Sequence, residues 1–328
     1  MDIARELGIS KSTVSRALSG DTSNVKAETL QKIMKTAHRM GYHRNDLAVH
    51  LRQQRTHNIG IIIPEIITTF YMTFINEVQA ILRKQGYKVM IAISSENPKQ
   101  ERENLLMMEQ LRVDGILMSV CEKDQNVDLY NKVIERGIPI VFFDRTVEGV
   151  QASQVRMDDY IMAFFMVEAL LRKGYKHILH IPGPAYIRNS RERQRGYRDA
   201  LEKFHVAYQA QDILQPALSA EEGSRVMEQY LEKNIPFDAV FGFTETAVLG
   251  AKSTLQKHKM RIPDDVALCC MSGTALATLV HPQLTAVEQP IGEMARESCR
   301  LLMEHLADNN KKTEEIALRG ETVVREST

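Results

Sequence analysis

The chain of 328 residues lacks most of the features that would tie it to a membrane, an oxidising compartment or a catalytic motif. Its four cysteines, Cys121, Cys269, Cys270 and Cys299, show no C-x-x-C spacing and are read as reduced thiols of a cytoplasmic protein. No apolar run reaches membrane-spanning length and no apolar signal core opens the chain, so a soluble intracellular protein is expected. G-x-G-x-x-G, P-loop and nucleophile-elbow motifs are all missing. The ten histidines do not cluster. His177 and His180 flank an apolar run at i, i+3, poor geometry for a metal without further ligands, and are read as structural. An enzyme is therefore not expected, and neither is a catalytic residue, a metal or a cofactor. There is no internal repeat and no low-complexity segment.

Net charge is missing too, but only in the sum: 42 Lys and Arg balance 42 Asp and Glu. Residues 1–55 hold ten basic residues against five acidic ones, a net of +5, which leaves −5 for the rest. A basic head on an acidic body suits a polyanion partner for the head alone. The length leaves room for two or three domains, each with a real core.

The head is organised around Asp2 to Leu18. Ile3, Ala4 and Leu7 recur at helical spacing until Gly8 breaks the run, and Ser10 is placed to cap a second helix. In that helix Val14, Ala17 and Leu18 form an inward stripe, which leaves Lys11, Ser12, Thr13, Ser15 and Arg16 outside. Two short helices joined by a glycine-containing turn, the second basic and polar outside, read as a helix-turn-helix. Leu30, Ile33, Ala37 and Met40 give a third helix, closed by Gly41. Residues 44–56 are too few and too polar to bury a core and read as a linker or a helix that forms only with a partner.

From His57 the texture changes. Ile59–Ile63, Val89–Ile93, Ile116–Val120 and Ile138–Phe143 are apolar runs separated by helical stretches. His177–Ile181, Ala239–Phe243 and Val266–Met271 form a second such series. Continuous apolar strands spaced by helices indicate parallel sheets covered on both faces. Two doubly wound units in tandem place a cleft at the carboxyl ends of their strands.

Eight short motifs, in this order, carry a resemblance. They are Asp2-Ile-Ala…Thr13-Val-Ser-Arg16, Gly41-Tyr42, Asn45…Ala48-x-x-Leu51, Val113-Asp-Gly115, Pro139…Asp144-Arg145, Arg193-x-x-Gly196-Tyr197, Ile262-Pro-x-Asp265 and Pro282-x-Leu-Thr285. Over nearly its whole length the chain resembles the lactose/galactose repressor family of bacterial transcription regulators. The resemblance implies a small all-α helix-turn-helix head at 1–43, a hinge helix or linker at 44–56, and an α/β body at 57–328. That body is expected to be two doubly wound parallel-sheet lobes of periplasmic-binding-protein type. The N-lobe is placed at about 57–152 and 286–312, the C-lobe at about 153–285 and 313–328. It further implies a regulator, a repressor of carbohydrate-utilisation genes, that binds double-stranded operator DNA of near-palindromic sequence as a homodimer. Residues 317–328 read as a last strand and tail rather than the heptad helix that makes tetramers in this family. A solute-binding receptor for small-molecule uptake is the alternative, opposed by the basic head and the missing secretion signal.

By position in the motif, Lys11, Ser12 and Arg16 meet base edges or nearby phosphates, with Thr13 and Ser15 on the same outward face. Arg16 can be bidentate to a guanine, a contact worth roughly 1–3 kcal/mol of discrimination. Short hydroxyls hold phosphates as often as bases. Leu51 matches the family's hinge leucine, which wedges into the minor groove, with Asn45 as cap and Ala48 as the close-approach residue. Members of the family carry several residues before the Asp-Ile-Ala motif. Starting at Met1, the first turn lacks that lead-in, and a head of this length is expected to bind DNA weakly; a start placed too late or a trimmed chain would account for it.

On the effector side, Arg188, Arg191, Arg193, Arg195 and Arg198 look like one basic run. At about 100° per residue, Arg193 alone falls on the side of Gly196, Tyr197 and Ala200. A buried arginine needs a buried acceptor. The resemblance supplies an effector in the cleft, and a structural salt bridge with Asp144 or Asp158 is the competing account. Phe70, Tyr71, Asp144, Thr244 and Ser272 complete the candidate cleft. Asp144 with Arg145 can serve the lobe interface instead, and an aromatic at a helix start is commonly core. Relatives often carry Asn-Asp where Thr244-Glu245 stands, and Gly-Phe-Asp-Asp where Cys270-Met-Ser-Gly273 stands. With an amide and a carboxylate replaced by two hydroxyls, Arg193 is expected to face less negative charge. Of the effectors the family admits, a sugar, a sugar phosphate or a sugar acid, that favours the anionic ones.

Overall fold

The computed structural model describes residues 2–19, 25–41, 55–122 and 125–328. The chain divides into two compact units, Met1–Thr56 and His57–Thr328.

In the first unit, α1 (Asp2–Glu6), α2 (Lys11–Ser19) and α3 (Ala27–Arg39) enclose a small core. Ile3, Ala4, Val14, Ala17, Ile33 and Ala37 are buried, ringed by half-buried Leu7, Ile9, Leu18, Val25 and Leu30. Gly8 takes φ 62° between the first two helices, a left-handed turn that a residue without Cβ adopts freely. Ser10 caps α2, its Oγ accepting from the Thr13 amide at 3.1 Å. The apolar face of α3 is shorter than its spacing suggests. Met40, expected inside, is 41% exposed, because the helix stops at Arg39 and the chain turns away through Gly41 at φ 60°.

The second unit holds two sheets. The N-lobe sheet orders β10 (Glu315–Leu318), β5 (Ser153–Met157), β4 (Ile140–Phe143), β3 (Gly115–Met118), β1 (Asn58–Ile63) and β2 (Lys88–Ile93), all parallel. One of its faces packs on α4 (Thr69–Lys84) and α11 (Ile291–Ala307), the other on α5 (Pro98–Gln110) and α6 (Val127–Glu135). The C-lobe sheet orders β11 (Glu321–Val323), β9 (Thr285–Glu288), β8 (Ala267–Gly273), β7 (Ala239–Gly242) and β6 (Ile178–Ile181). Its pairs are parallel except β9 with β11. It is covered by α7 (Asp159–Arg172) and α8 (Arg188–Lys203) on one face and by α9 (Ala220–Leu231) and α10 (Glu245–Lys257) on the other. The pair α7–α8 packs backbone against backbone at Gly196, where any Cβ would stand 2.4 Å from the Tyr160 carbonyl oxygen.

Three strands lie in the lobe opposite to the one the sequence suggested. Ser153–Met157 and Glu315–Leu318 belong to the N-lobe sheet, and Thr285–Glu288 to the C-lobe sheet. The chain therefore crosses between lobes after Met157, after Glu288 and after Leu318. The cause is visible in β5, which buries polar residues that have partners. Ser153 Oγ lies 2.8 Å from His305 Nε2, and Gln154 Nε2 donates to the Val147 carbonyl at 2.8 Å. A strand with its polar groups satisfied can be internal without being an apolar run. No helix among the described residues is long and apolar enough to cross a membrane.

Candidate functional site

On the head, Lys11, Ser12, Ser15 and Arg16 are exposed on one side of α2, while Thr13 is half-buried. The start of this helix is tied together: Ser10 Oγ lies 2.8 Å from Ser12 Oγ and 2.7 Å from Thr13 Oγ1. The helix N-terminus and its hydroxyls thus form a short polar edge, with the two cations beside it, suited to phosphate oxygens. Asn45, Ala48 and Leu51 lie outside the described residues.

In the body, a cleft of about 630 Å³, its open mouth included, lies between the two sheets. All six residues named from the sequence line it: Phe70, Tyr71, Asp144, Arg193, Thr244 and Ser272. Each comes from a strand's carboxyl end or from the helix that follows it. Phe70 and Tyr71 open α4 after β1, and both are also part of the N-lobe core, with their rings edge to face at 5.0 Å. Asp144 follows β4 directly. Tyr71 Oη donates to its Oδ2 at 2.9 Å and Asn189 Nδ2 to its Oδ1 at 3.1 Å, and burial raises its pKa.

Arg193 lies on the packed face of α8, 2% exposed, with Gly196, Tyr197 and Ala200. Its acceptor is neither Asp144 nor Asp158. Nε donates to Asp159 Oδ1 at 2.7 Å, Nη1 donates to the Phe243 carbonyl at 2.7 Å, and the guanidinium lies 4.4 Å from the centre of the Phe243 ring. Asp158 instead caps α7 by accepting from the Ile161 amide at 3.2 Å. Burial pushes Asp159 up to about 6, against the pull of the arginine.

Thr244 has a structural task besides lining the cleft. Its hydroxyl caps α10, accepting from the Ala247 amide at 3.2 Å, and donates to the Leu218 carbonyl at 3.2 Å. Its proton is therefore engaged, and Thr244 is no simple replacement for a ligand-binding amide. Ser272 sits half-buried where the pairing of β8 with β9 shifts register.

Sequence reasoning missed Glu65, Glu96, Asn189, Phe243 and Gln289, and left Arg145 undecided; all six line the cleft. The signal was positional, since most of them stand one to three residues beyond a strand end, but apart from Phe243 these strand-end residues are polar and unremarkable as types. Glu65 accepts from the Thr68 amide at 2.9 Å and from the Ile67 amide and Thr68 hydroxyl. Arg145 is 7% exposed, and its Nη1 donates to Glu96 Oε2 at 2.9 Å. These residues overturn the charge argument made from the sequence. The carboxylates that seemed lost from the C-lobe wall are matched by Glu65, Glu96 and Asp144 on the N-lobe wall, and each cleft arginine already has a carboxylate partner.

His177 and His180 hold backbone. His180 is fully buried beside the rings of Tyr197 and Phe241, and its Nδ1 lies 2.9 Å from the Phe241 carbonyl oxygen. Burial lowers its pKa to about 4. No cluster of metal-ligating side chains occurs among the described residues.

A three-helix head with an exposed basic recognition face, joined to two wound lobes around a cleft, defines a DNA-binding regulator that carries a ligand-binding body. Comparison with known proteins gives its family. Residues 1–45 match the bacterial regulatory proteins of the lacI family, and residues 56–318 match the periplasmic binding proteins and sugar binding domain of the LacI family. The chain belongs to the LacI family. It is 28% identical over 328 residues to the HTH-type transcriptional regulator DegA of Bacillus subtilis (strain 168), covering 100% of this chain and 97% of that protein. It is 30% identical over 314 residues to catabolite control protein A of Priestia megaterium, covering 95% and 92%. A solved structure of the transcriptional regulator CelR–cellobiose complex aligns with a TM-score of 0.76 at 25% identity over 99% of this chain and 98% of that one. The family is one of DNA-binding regulators, so the chain is a transcription regulator and not an enzyme.

Proposed function

We propose that this regulator is a cytoplasmic repressor of carbohydrate-utilisation genes whose effector is an uncharged, hydroxyl-rich sugar bound between the lobes. The observation that carries the effector class is the pairing of both cleft arginines, Arg193 with Asp159 and Arg145 with Glu96. Glu65 and Asp144 remain, each held by neutral donors, so the cleft offers an anion no uncompensated positive charge. It does offer hydroxyl donors several carboxylate acceptors, and the apolar side chains of Ile67, Phe70, Leu218 and Phe243 beside them suit the carbon face of a sugar ring. A solved relative that binds cellobiose, a neutral disaccharide, supports the same reading.

Lys11, Ser12, Thr13, Ser15 and Arg16 are the proposed DNA contacts from α2, with Asn45, Ala48 and Leu51 following at the hinge. Two heads on a homodimer would bind a near-palindromic operator, half-site spacing being set by the dimer. The effector works by population shift, favouring one lobe arrangement and with it the separation of the heads and the order of the hinge. The test is fluorescence anisotropy of the full chain on DNA fragments selected from its own genome, titrated with sugars, sugar phosphates and sugar acids. A neutral sugar that changes operator affinity while its phosphate does not is the expected result. A response confined to the anionic compounds contradicts the effector class, and failure to select any DNA contradicts the regulator itself.

A further inference from the structure

The carboxylates that line the cleft, Glu65, Glu96 and Asp144, are not equally engaged. Both oxygens of Glu65 accept from the turn after β1, from the Ile67 and Thr68 amides and the Thr68 hydroxyl. Both oxygens of Asp144 accept as well, Oδ2 from Tyr71 at 2.9 Å and Oδ1 from Asn189 at 3.1 Å. Glu96 differs. Its Oε2 accepts from Arg145 Nη1 at 2.9 Å, while its Oε1 is buried and has no hydrogen-bond partner among the described residues. A buried carboxylate oxygen without a donor is costly, and such atoms are rare in folded proteins.

The backbone is also strained where it carries that oxygen. Ser95 and Glu96 take φ 50° and 54°, two left-handed residues in succession, neither of them glycine. The turn is pinned on either side. The Ser94 and Glu96 amides donate to the Ile63 and Pro64 carbonyls at 2.9 and 2.7 Å, at the end of β1. Asn97 then caps α5, its Oδ1 accepting from the Lys99 amide at 2.9 Å. Strain held in place by surrounding bonds marks functional positions. The ion pair with Arg145 does not account for it alone, since that pair uses Oε2 and leaves Oε1 unused.

We propose that Glu96 is the residue that selects among sugars: its Oε1 accepts one particular hydroxyl of the effector, and a sugar that lacks this hydroxyl, or carries it inverted, is refused. A neutral hydroxyl is the donor that fits, because Arg145 already balances the Glu96 charge and the pair as a whole asks for no further cation. The acceptor is nonetheless ionic, so the bond it makes is about twice as strong as one between neutral groups. Glu65 and Asp144 cannot take this part without giving up donors they already hold. This inference rests on the cleft as the site of a neutral sugar and adds which side chain reads that sugar's hydroxyls.

The test is thermal unfolding of the full chain and of Glu96→Gln with D-glucose, D-galactose, D-mannose, D-ribose, D-xylose, maltose and lactose. Each sugar that stabilises the parent is then titrated by calorimetry beside its monodeoxy forms. The amide of the variant keeps its oxygen for Arg145 and turns its nitrogen, a donor, to the place of Oε1. In the parent, removing one hydroxyl should weaken binding about tenfold to a hundredfold, the worth of one charge-assisted hydrogen bond. In Glu96→Gln the same removal should change affinity by no more than about twofold, the scatter of independent changes. Equal factors in the two chains overturn the proposal, because a merely structural Glu96 would lower the affinity for both forms alike. A parent chain indifferent to every monodeoxy form overturns it too. If Glu96→Gln does not fold, a crystal structure of the parent with its sugar decides. A sugar hydroxyl within about 3 Å of Oε1 supports the proposal, and water alone at that oxygen overturns it. Stabilisation by none of these sugars contradicts the neutral-sugar reading and this inference with it, whereas binding that ignores Glu96 contradicts this inference alone.

Discussion

The two walls of the cleft are built on the same plan and carry opposite chemistry. Each is made from strand ends of a doubly wound sheet. Yet the N-lobe wall presents three carboxylates, Glu65, Glu96 and Asp144, against one arginine, Arg145. The C-lobe wall presents Arg193 and no carboxylate, with Asn189, Leu218, Phe243, Thr244 and Ser272 around it. Arg193 is balanced from behind by Asp159, which does not line the cleft. Electrostatically, then, the acidic wall is the one a ligand meets, and the basic wall is already neutralised. A residue list alone would have made the arginine the ligand's anchor; the pairing shows that the arginine's first duty is to the fold.

Removing that arginine has the largest expected effect. Arg193→Ala leaves Asp159 buried without its partner, a loss of about 3–5 kcal/mol in stability. Replacing both, Arg193→Met with Asp159→Leu, should return most of that stability, because an apolar pair of similar volume is often neutral. Chemical unfolding of the three proteins checks this; equal loss in the single and the double variant would show that the pair is not a closed unit.

Next in size is the acid response of His180 behind the C-lobe wall. Its folded pKa of about 4 lies below the ordinary 6.5, so it contributes stability that is present above 6.5 and lost as the pH falls through about 4. The full effect is about 3 kcal/mol. Asp159, raised to about 6, acts with the opposite sign as the pH rises from about 4 to 6, so the His180 effect must be isolated by comparison. Urea unfolding of the parent chain and His180→Phe between pH 7 and pH 4 should show the parent losing ground on acidification. Parallel curves would remove His180 as the cause.

Smaller effects belong to the head. Arg16→Ala should weaken operator binding by about 1–3 kcal/mol and relax preference at one base pair, if it reads a guanine. Lys11→Ala should instead weaken all sequences alike and lower the salt slope by about one. Both should leave sugar binding by the body untouched, and anisotropy at several salt concentrations tells them apart. A uniform loss with Arg16→Ala would make that residue a phosphate contact.

The sequence showed the head and the strand-end logic well, because both are written in periodicity. The stripe of Ile3, Val14, Ala17 and Ile33 at helical spacing, the break at Gly8 and the cap at Ser10 are local signals. The apolar strands from Ile59 to Met271 announced two wound units for the same reason. What stayed hidden depends on partners far away in the chain. Ser153–Met157 is not among the apolar runs read as strands, and nothing local reveals that Ser153 faces His305 and Gln154 reaches Val147. Its assignment to the wrong lobe moved a crossover. Arg193 could be placed on the buried face by its angle, but its partner, Asp159, 34 residues earlier in the chain, was not among the two carboxylates considered, Asp144 and Asp158. Thr244 was legible as a cleft residue and illegible as a helix cap bound to Leu218. The charge of the cleft was misjudged for the same reason: Glu65 and Glu96 sit in turns with no pattern of their own.

The proposed effector is an uncharged sugar, because both cleft arginines are already paired. The most direct measurement is calorimetric titration of the full chain with a neutral sugar found by thermal-shift screening and with the phosphate ester of that same sugar. In the screen, ligand at 100 times its dissociation constant stabilises the chain by about 2.7 kcal/mol, which makes hits easy to see. The account predicts that the neutral sugar binds and that the phosphate ester binds at least tenfold more weakly. Tighter binding of the phosphate ester would contradict it, and would mean that Arg145 or Arg193 leaves its carboxylate to meet the ligand.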